Sequence, residues 1–105
     1  MRRGDVFHLT PPARRGRAQR GRRYGVVVQS DALLALSTVI VAPTSTRALP
    51  ASFRPEVRIA GRETRVLVEQ VGAVDPARLG RAAGHLRNDD LRAVDDALAL
   101  VLGLA

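Results

Sequence analysis

The sequence predicts an α+β fold, mainly β, in which a small curled antiparallel sheet or barrel is closed by a terminal amphipathic helix. Three observations carry this. Short β-branched runs recur between glycine, proline and polar breaks from residue 4 to residue 74. One pair of runs has the spacing of a hairpin, and only the segment after residue 87 shows a sustained helical apolar period. A chain of 105 residues is expected to form one domain, residues 1–105, around a single core. With no cysteine, neither disulfides nor thiolate zinc sites hold it together. No metal or cofactor is expected, and the cytoplasm is the expected location. No window approaches the roughly 18 apolar residues of a membrane span, and no signal-like stretch follows the first residues, so no membrane partner is expected.

The elements follow in order. Gly4-Asp5-Val6-Phe7-His8-Leu9 reads as a first strand stopped by Thr10-Pro11-Pro12. Residues 13–22 lack an apolar period and read as a loop. Tyr24 to Gln29 and Thr38 to Ala42 are β-branched runs expected to be buried on both faces. Between them, Ala32 to Leu36 is either one helical turn capped by Ser30 or Asp31, or a packed loop. Val57-Arg58-Ile59, a turn at Gly61-Arg62, and Arg65 to Glu69 predict a hairpin, and Gly72 predicts a bulge or bend. Asp75 as cap and Pro76 at the first position predict a short helical turn over Ala77 to Ala82, ended by Gly84. The final helix is expected to start at Asn88-Asp89-Asp90, to bury Leu91, Val94, Leu98, Val101 and Leu102, and to stop at Gly103.

The net charge of +7 is unevenly placed. All 17 basic residues are arginine; residues 1–23 hold eight of them against one acid, Asp5, while the remainder holds nine of each sign. An arginine cluster of this kind attracts phosphate or an acidic peptide, because guanidinium is always charged and donates in a fork. The plainer reading is a solvated basic arm.

Several pieces of the chain resemble the MazF/PemK toxins in order and spacing. They are Arg3-Gly4-Asp5-Val6-Phe7, Gly21-Arg22-Arg23 leading into Val26-Val27-Val28-Gln29-Ser30-Asp31, and Val41-Ala42-Pro43 with Ser45-Thr46. Glu69-Gln70 with Asp75 beyond, and the helix of Leu91, Val94, Leu98 and Leu102, complete the pattern. No piece is specific alone; together they span nearly the whole chain. The resemblance implies an SH3-like, CcdB/PemK-type barrel, a homodimer, cleavage of single-stranded RNA without metal, and a MazE-like acidic antitoxin laid over the same groove. It assigns the catalytic pair to Arg23 and Ser45. Substrate contacts are expected from Arg14, Arg15, Arg17, Gln19, Arg20, Arg22, Tyr24, Thr44, Thr46, Glu69 and Gln70.

The chain also departs from the pattern. Tyr24 stands where the family usually has proline, Ala18 where many members carry an acid, Leu67 where some branches place a catalytic arginine, and Ser45 in place of threonine. Thr44 or Thr46 is an alternative source of the hydroxyl. In metal-free cleavage the 2′-hydroxyl attacks the adjacent phosphorus, and arginine suits the phosphorane oxygens better than it suits a general base. His8 and Glu69 are the candidates for that base, Glu69 reading equally as a structural acid paired with an arginine. The alternative function is a toxin of the same fold that binds nucleic acid or a topoisomerase without catalysis.

Overall fold

The computed structural model describes residues 1–10 and 23–104. Seven strands, β1 (Asp5–Leu9), β2 (Tyr24–Val27), β3 (Val39–Ser45), β4 (Glu56–Ile59), β5 (Arg62–Val66), β6 (Gly72–Val74) and β7 (Leu79–His85), precede one helix, α1 (Asn88–Val101). Every pairing is antiparallel, in the order β4-β5-β3-β2-β1-β7. β6 joins β3 beside that path. The expected barrel is realised as a curled half-barrel with β4 and β7 at its edges.

β3 is the hinge of this curl because it changes partner along one side. Val39 to Val41 pair with β6, whereas Thr44 and Ser45 pair with β5. Pro43, just beyond the expected run of Thr38 to Ala42, lies inside the strand. Val28 donates to the Ile40 carbonyl at 3.1 Å. Antiparallel alternation therefore turns the Pro43 nitrogen away from β2, into the gap between β6 and β5 where no ladder donor is required. Its carbonyl faces the same way and accepts from the Leu67 amide at 2.8 Å.

Alternation along the strands divides the apolar side chains between two faces, as expected for β2 and β3. Val6, Val26, Val28, Ala42, Val57, Ile59, Val66 and Val68 form the main core with Leu86, Val94 and Ala97. Val27, Val39 and Val41 form a second cluster with Phe7, Leu34, Val74 and Leu79. Each buried valine contributes about 1.5–3 kcal/mol. The open question at residues 32–36 resolves as a 3₁₀ turn, Asp31–Leu33, with Ser30 Oγ accepting from the Ala32 amide. Buried Gln29 ties this segment to β3: its amide donates to the Leu33 carbonyl and accepts from the Ile40 amide.

Three boundaries differ from expectation. The hairpin turns at Ala60-Gly61, both at positive φ (52° and 81°), so the returning strand starts at Arg62. It ends at Val66, because Leu67 bonds to Pro43 and Val68–Gln70 form a 3₁₀ turn; Glu69 and Gln70 therefore end no strand. The predicted helical turn over Ala77 to Ala82 is overturned. Asp75 caps and Pro76 leads as expected, but the turn lasts only through Arg78, and Leu79–His85 is a strand paired with β1. Helix propensity is a weak prior, and here the open edge of β1 and burial of Leu79 and Ala83 outweigh it. Gly84 ends no helix; it sits within β7 opposite Val6.

The last helix forms where expected, with Arg87 rather than Asn88 at the N-cap and no side-chain cap bond. Asp90 instead accepts from the Arg58 amide at 3.2 Å, covering a donor on edge strand β4. Val94 and Ala97 are buried, and Leu91, Leu98 and Val101 pack partly against the core. Leu102 is exposed, because it is already the C-cap residue. Gly103 (φ 72°) stops the helix as predicted, with Leu104 donating to the Ala99 carbonyl at 2.7 Å in a Schellman arrangement.

Candidate functional site

A groove of about 270 Å³ opens beside the second apolar cluster. Leu9, Val41, Pro43 and Val74 give it an apolar floor, Gly72 and Ala73 a wall without bulk, and Arg23, Gln70 and Arg78 its polar groups. Arg23 owes its position to the strand it precedes. Its carbonyl accepts from the Leu9 amide at 3.0 Å, and the following Tyr24 amide donates to Thr44 Oγ1 at 3.2 Å. β2 and β3 pair with Gly25 opposite Pro43. Counting that register on by two residues sets Arg23 opposite Ser45, on the face that carries Pro43.

Ser45 is the last residue of β3, half-buried, and lies just beyond the residues that line the groove. Its hydroxyl accepts from the Arg47 amide at 3.1 Å. Thr46 follows in the exposed loop. Thr44 points the other way: it is 2% exposed and its oxygen is taken by Tyr24, so the substrate contact expected of it is corrected to a structural tie. Tyr24 does not line this groove either. It packs against the main core, its ring 5.0 Å from that of His8, because strand alternation sends it to the face opposite Arg23. Gln70 lines the groove. The positions named in the basic segment, Arg14, Arg15, Arg17, Gln19, Arg20 and Arg22, lie outside the described residues.

Glu69 is paired with an arginine, the arrangement that the structural reading describes. Its Oε2 accepts from Nε and Nη2 of Arg54 at 3.0 and 2.6 Å, whereas Oε1 is buried with no partner among the described residues. The hydrogen bond from Arg54 holds the Glu69 carboxyl below the usual glutamate range. Arg54 also donates to the Leu49 carbonyl, and Arg65 to the Arg54 carbonyl, so this pair clamps the loop between β3 and β4. His8, the other candidate base, alternates with groove-lining Leu9 and packs against Tyr24 with the rings tilted by 43°. His85 lies at the far end of β1, its Nδ1 2.8 Å from Asp5 Oδ1. Among the described residues no three His, Cys, Asp or Glu side chains are grouped to hold a metal ion.

Sequence reasoning missed Arg78. Its Nε donates to the Thr10 carbonyl at 2.8 Å and its own carbonyl accepts from the Thr10 amide at 2.9 Å. The Pro76-Ala77-Arg78 stretch signals only a turn; it reaches the groove because β7 pairs with β1. Among the described residues neither Arg23 nor Arg78 pairs with a carboxylate. The groove therefore presents uncompensated positive charge beside an apolar floor, which suits an anion that also carries flat apolar surface.

Fold and groove together define a small antiparallel half-barrel with a terminal helix and an arginine-lined face. Residues 2–102 match the family of PemK-like, MazF-like toxins of type II toxin-antitoxin systems. A protein of Mycobacterium tuberculosis (strain ATCC 25618 / H37Rv), provisionally named a toxin, is 42% identical over 104 residues, covering 97% of each chain. An endoribonuclease from a mycobacterial species, solved with its cognate antitoxin, shares the fold with a TM-score of 0.84 at 17% identity, over 100% of this chain and 97% of that one. MazF of Deinococcus radiodurans does so with a TM-score of 0.80 at 23% identity, over 98% and 96%. The chain belongs to the PemK/MazF-like toxin family.

Proposed function

We propose that this toxin is an endoribonuclease that cuts single-stranded RNA without a metal ion. The observation that carries the reading is Arg23: a guanidinium with no carboxylate partner among the described residues, in a groove with an apolar floor, its strand register leading to the Ser45 hydroxyl. In the proposed reaction the 2′-oxygen of one nucleotide bonds to the adjacent phosphorus and gives up its proton. The bond from phosphorus to the 5′-oxygen breaks, and that oxygen leaves as a hydroxyl. Arg23 donates to the phosphorane oxygens as their charge grows, and Ser45 positions the phosphate. Thr46, Gln70, Gln19 and the arginines of residues 14–22 are proposed substrate contacts; Thr44 and Glu69 are read as structural, through their bonds to Tyr24 and Arg54.

The proposed working form is a cytoplasmic homodimer, restrained by an acidic antitoxin that occupies the same cationic face. Support for that restraint comes from the related endoribonuclease solved with its cognate antitoxin. Among the described residues no helix is long and apolar enough to cross a membrane.

Purified protein in excess chelator is expected to cut a long RNA at discrete sites, leaving 2′,3′-cyclic phosphate and 5′-hydroxyl ends. Arg23→Ala is expected to lower the rate by roughly 10²–10³. An uncut RNA that is nonetheless bound tightly would point to the non-catalytic toxin instead.

A further inference from the structure

We infer that Arg78 is a second phosphate contact of the groove, a substrate-binding residue that takes the phosphate flanking the one held by Arg23. The inference rests on the ribonuclease reading and extends it to a residue outside the catalytic pair. Arg78 is half-buried and lines the same groove as Arg23 and Gln70. Two bonds to Thr10 fix it, one from Nε and one to its own carbonyl. The terminal nitrogens Nη1 and Nη2 make no hydrogen bond among the described residues, so within these residues the guanidinium is held at its root with its four terminal N–H groups open to a ligand. A held fork loses little rotamer freedom on meeting a phosphate, the condition under which arginine binds best.

The groove volume of about 270 Å³ falls just below the usual range of ligand pockets, about 300–1,000 Å³, which suits one nucleotide rather than a longer segment. A base resting on Leu9, Val41, Pro43 and Val74 would leave Gln70 to face its polar edge. The sugar-phosphate on either side then meets one guanidinium each. The contacts of Arg78 with Thr10 also have a purely structural reading, as a clip at the end of β1. The two readings differ in one measurable quantity. A phosphate contact contributes to the salt dependence of RNA binding, whereas a clip contributes only to stability.

The experiment uses a labelled single-stranded RNA of mixed sequence with 2′-fluoro groups, which lacks the attacking hydroxyl and is not cut. Its affinity is measured against salt concentration for the wild type, Arg78→Ala and Arg78→Lys, with Tm for each. Each phosphate neutralised on a single strand contributes about 0.7 to the slope of log K against log salt. Arg78→Ala is expected to reduce the magnitude of the slope by about 0.7 and to raise KM more than it lowers kcat on cleavable RNA. Arg78→Lys, which keeps the charge but loses the Nε bond to Thr10, is expected to keep the slope even where Tm falls. If the wild type binds and cuts while Arg78→Ala shows an unchanged slope, Arg78 is only a clip and the inference is overturned. Should Arg78→Ala fail to fold, an Arg78→Gln protein with the wild-type slope overturns it equally. If the wild type neither binds nor cuts RNA, the ribonuclease reading falls and takes this inference with it.

Discussion

Glu69 illustrates how one side chain is assigned by its partner. Its carboxyl lies beside groove-lining Gln70, yet it is committed to Arg54. Because its folded pKa lies below the ordinary value, about 4.3 for glutamate, this contribution to stability is complete above that value and is lost as pH falls through the lower folded one. Glu69→Gln is therefore expected to lower Tm at about pH 7, with the gap to wild type closing on acidification. A gap unchanged by acid would show that the pair contributes nothing electrostatic. Gly4 is a stricter case. It is buried, holds φ at 96°, and an added Cβ would stand 2.8 Å from His85 Cε1 and 3.1 Å from Leu91 Cδ2. Gly4→Ala is expected to cost about 1–3 kcal/mol, read by chemical denaturation. The hydroxyl proposed for catalysis belongs to this scale too. Thr44, Ser45 and Thr46 are equivalent as a string, and only strand parity buries Thr44 and gives Ser45 the face of Pro43.

Among the elements, α1 and β7 show opposite relations between pattern and outcome. The period of Leu91, Val94 and Leu98 was legible because a helix buries one stripe, and the core supplied the surface for it. Val94 is fully buried in that interface, so Val94→Ala is expected to cost about 2 kcal/mol in equilibrium unfolding. An unchanged midpoint would mean that the helix is not held by this contact. β7 resisted reading because Leu79-Gly80-Arg81-Ala82-Ala83-Gly84-His85 has neither a β-branched residue nor a long apolar run. It is a strand because β1 lies next to it, and the register shifts between them show how loosely its own sequence specifies the pairing. Asp5 and His85 tie the far end of this pair. Partial burial raises the Asp5 carboxyl pKa, but the hydrogen bonds from His85 and from the Arg2 amide, aided by nearby positive charge, bring it below its ordinary value. That contribution too is present above the ordinary value and lost as pH falls, so acid is expected to open the β1–β7 edge early. Amide hydrogen exchange along β7 at falling pH checks this, and uniform protection down to global unfolding would contradict it.

At the scale of the whole molecule, the half-barrel leaves Leu100, Leu102 and Leu104 exposed at the end of α1, and Leu33, Leu36 and Ile40 exposed elsewhere. If the proposed homodimer covers part of this surface, light scattering is expected to return twice 11.3 kDa. A mass of one chain at micromolar concentration would count against it. The strands other than β7, the hairpin, the stop at Gly103, the position of Arg23 just before β2 and the concentration of arginine before residue 24 were readable from the residues in order. They depend on periods of two and 3.6 and on turn chemistry, which act over a few neighbours. The split of β3 between two partners, the conversion of residues 79–85 to an edge strand, the inward turn of Thr44 and Tyr24, and the arrival of Arg78 beside Arg23 were not. Each depends on contacts between segments distant along the chain. Arg78 reaches Thr10 across 68 residues, and no local propensity carries information over that separation.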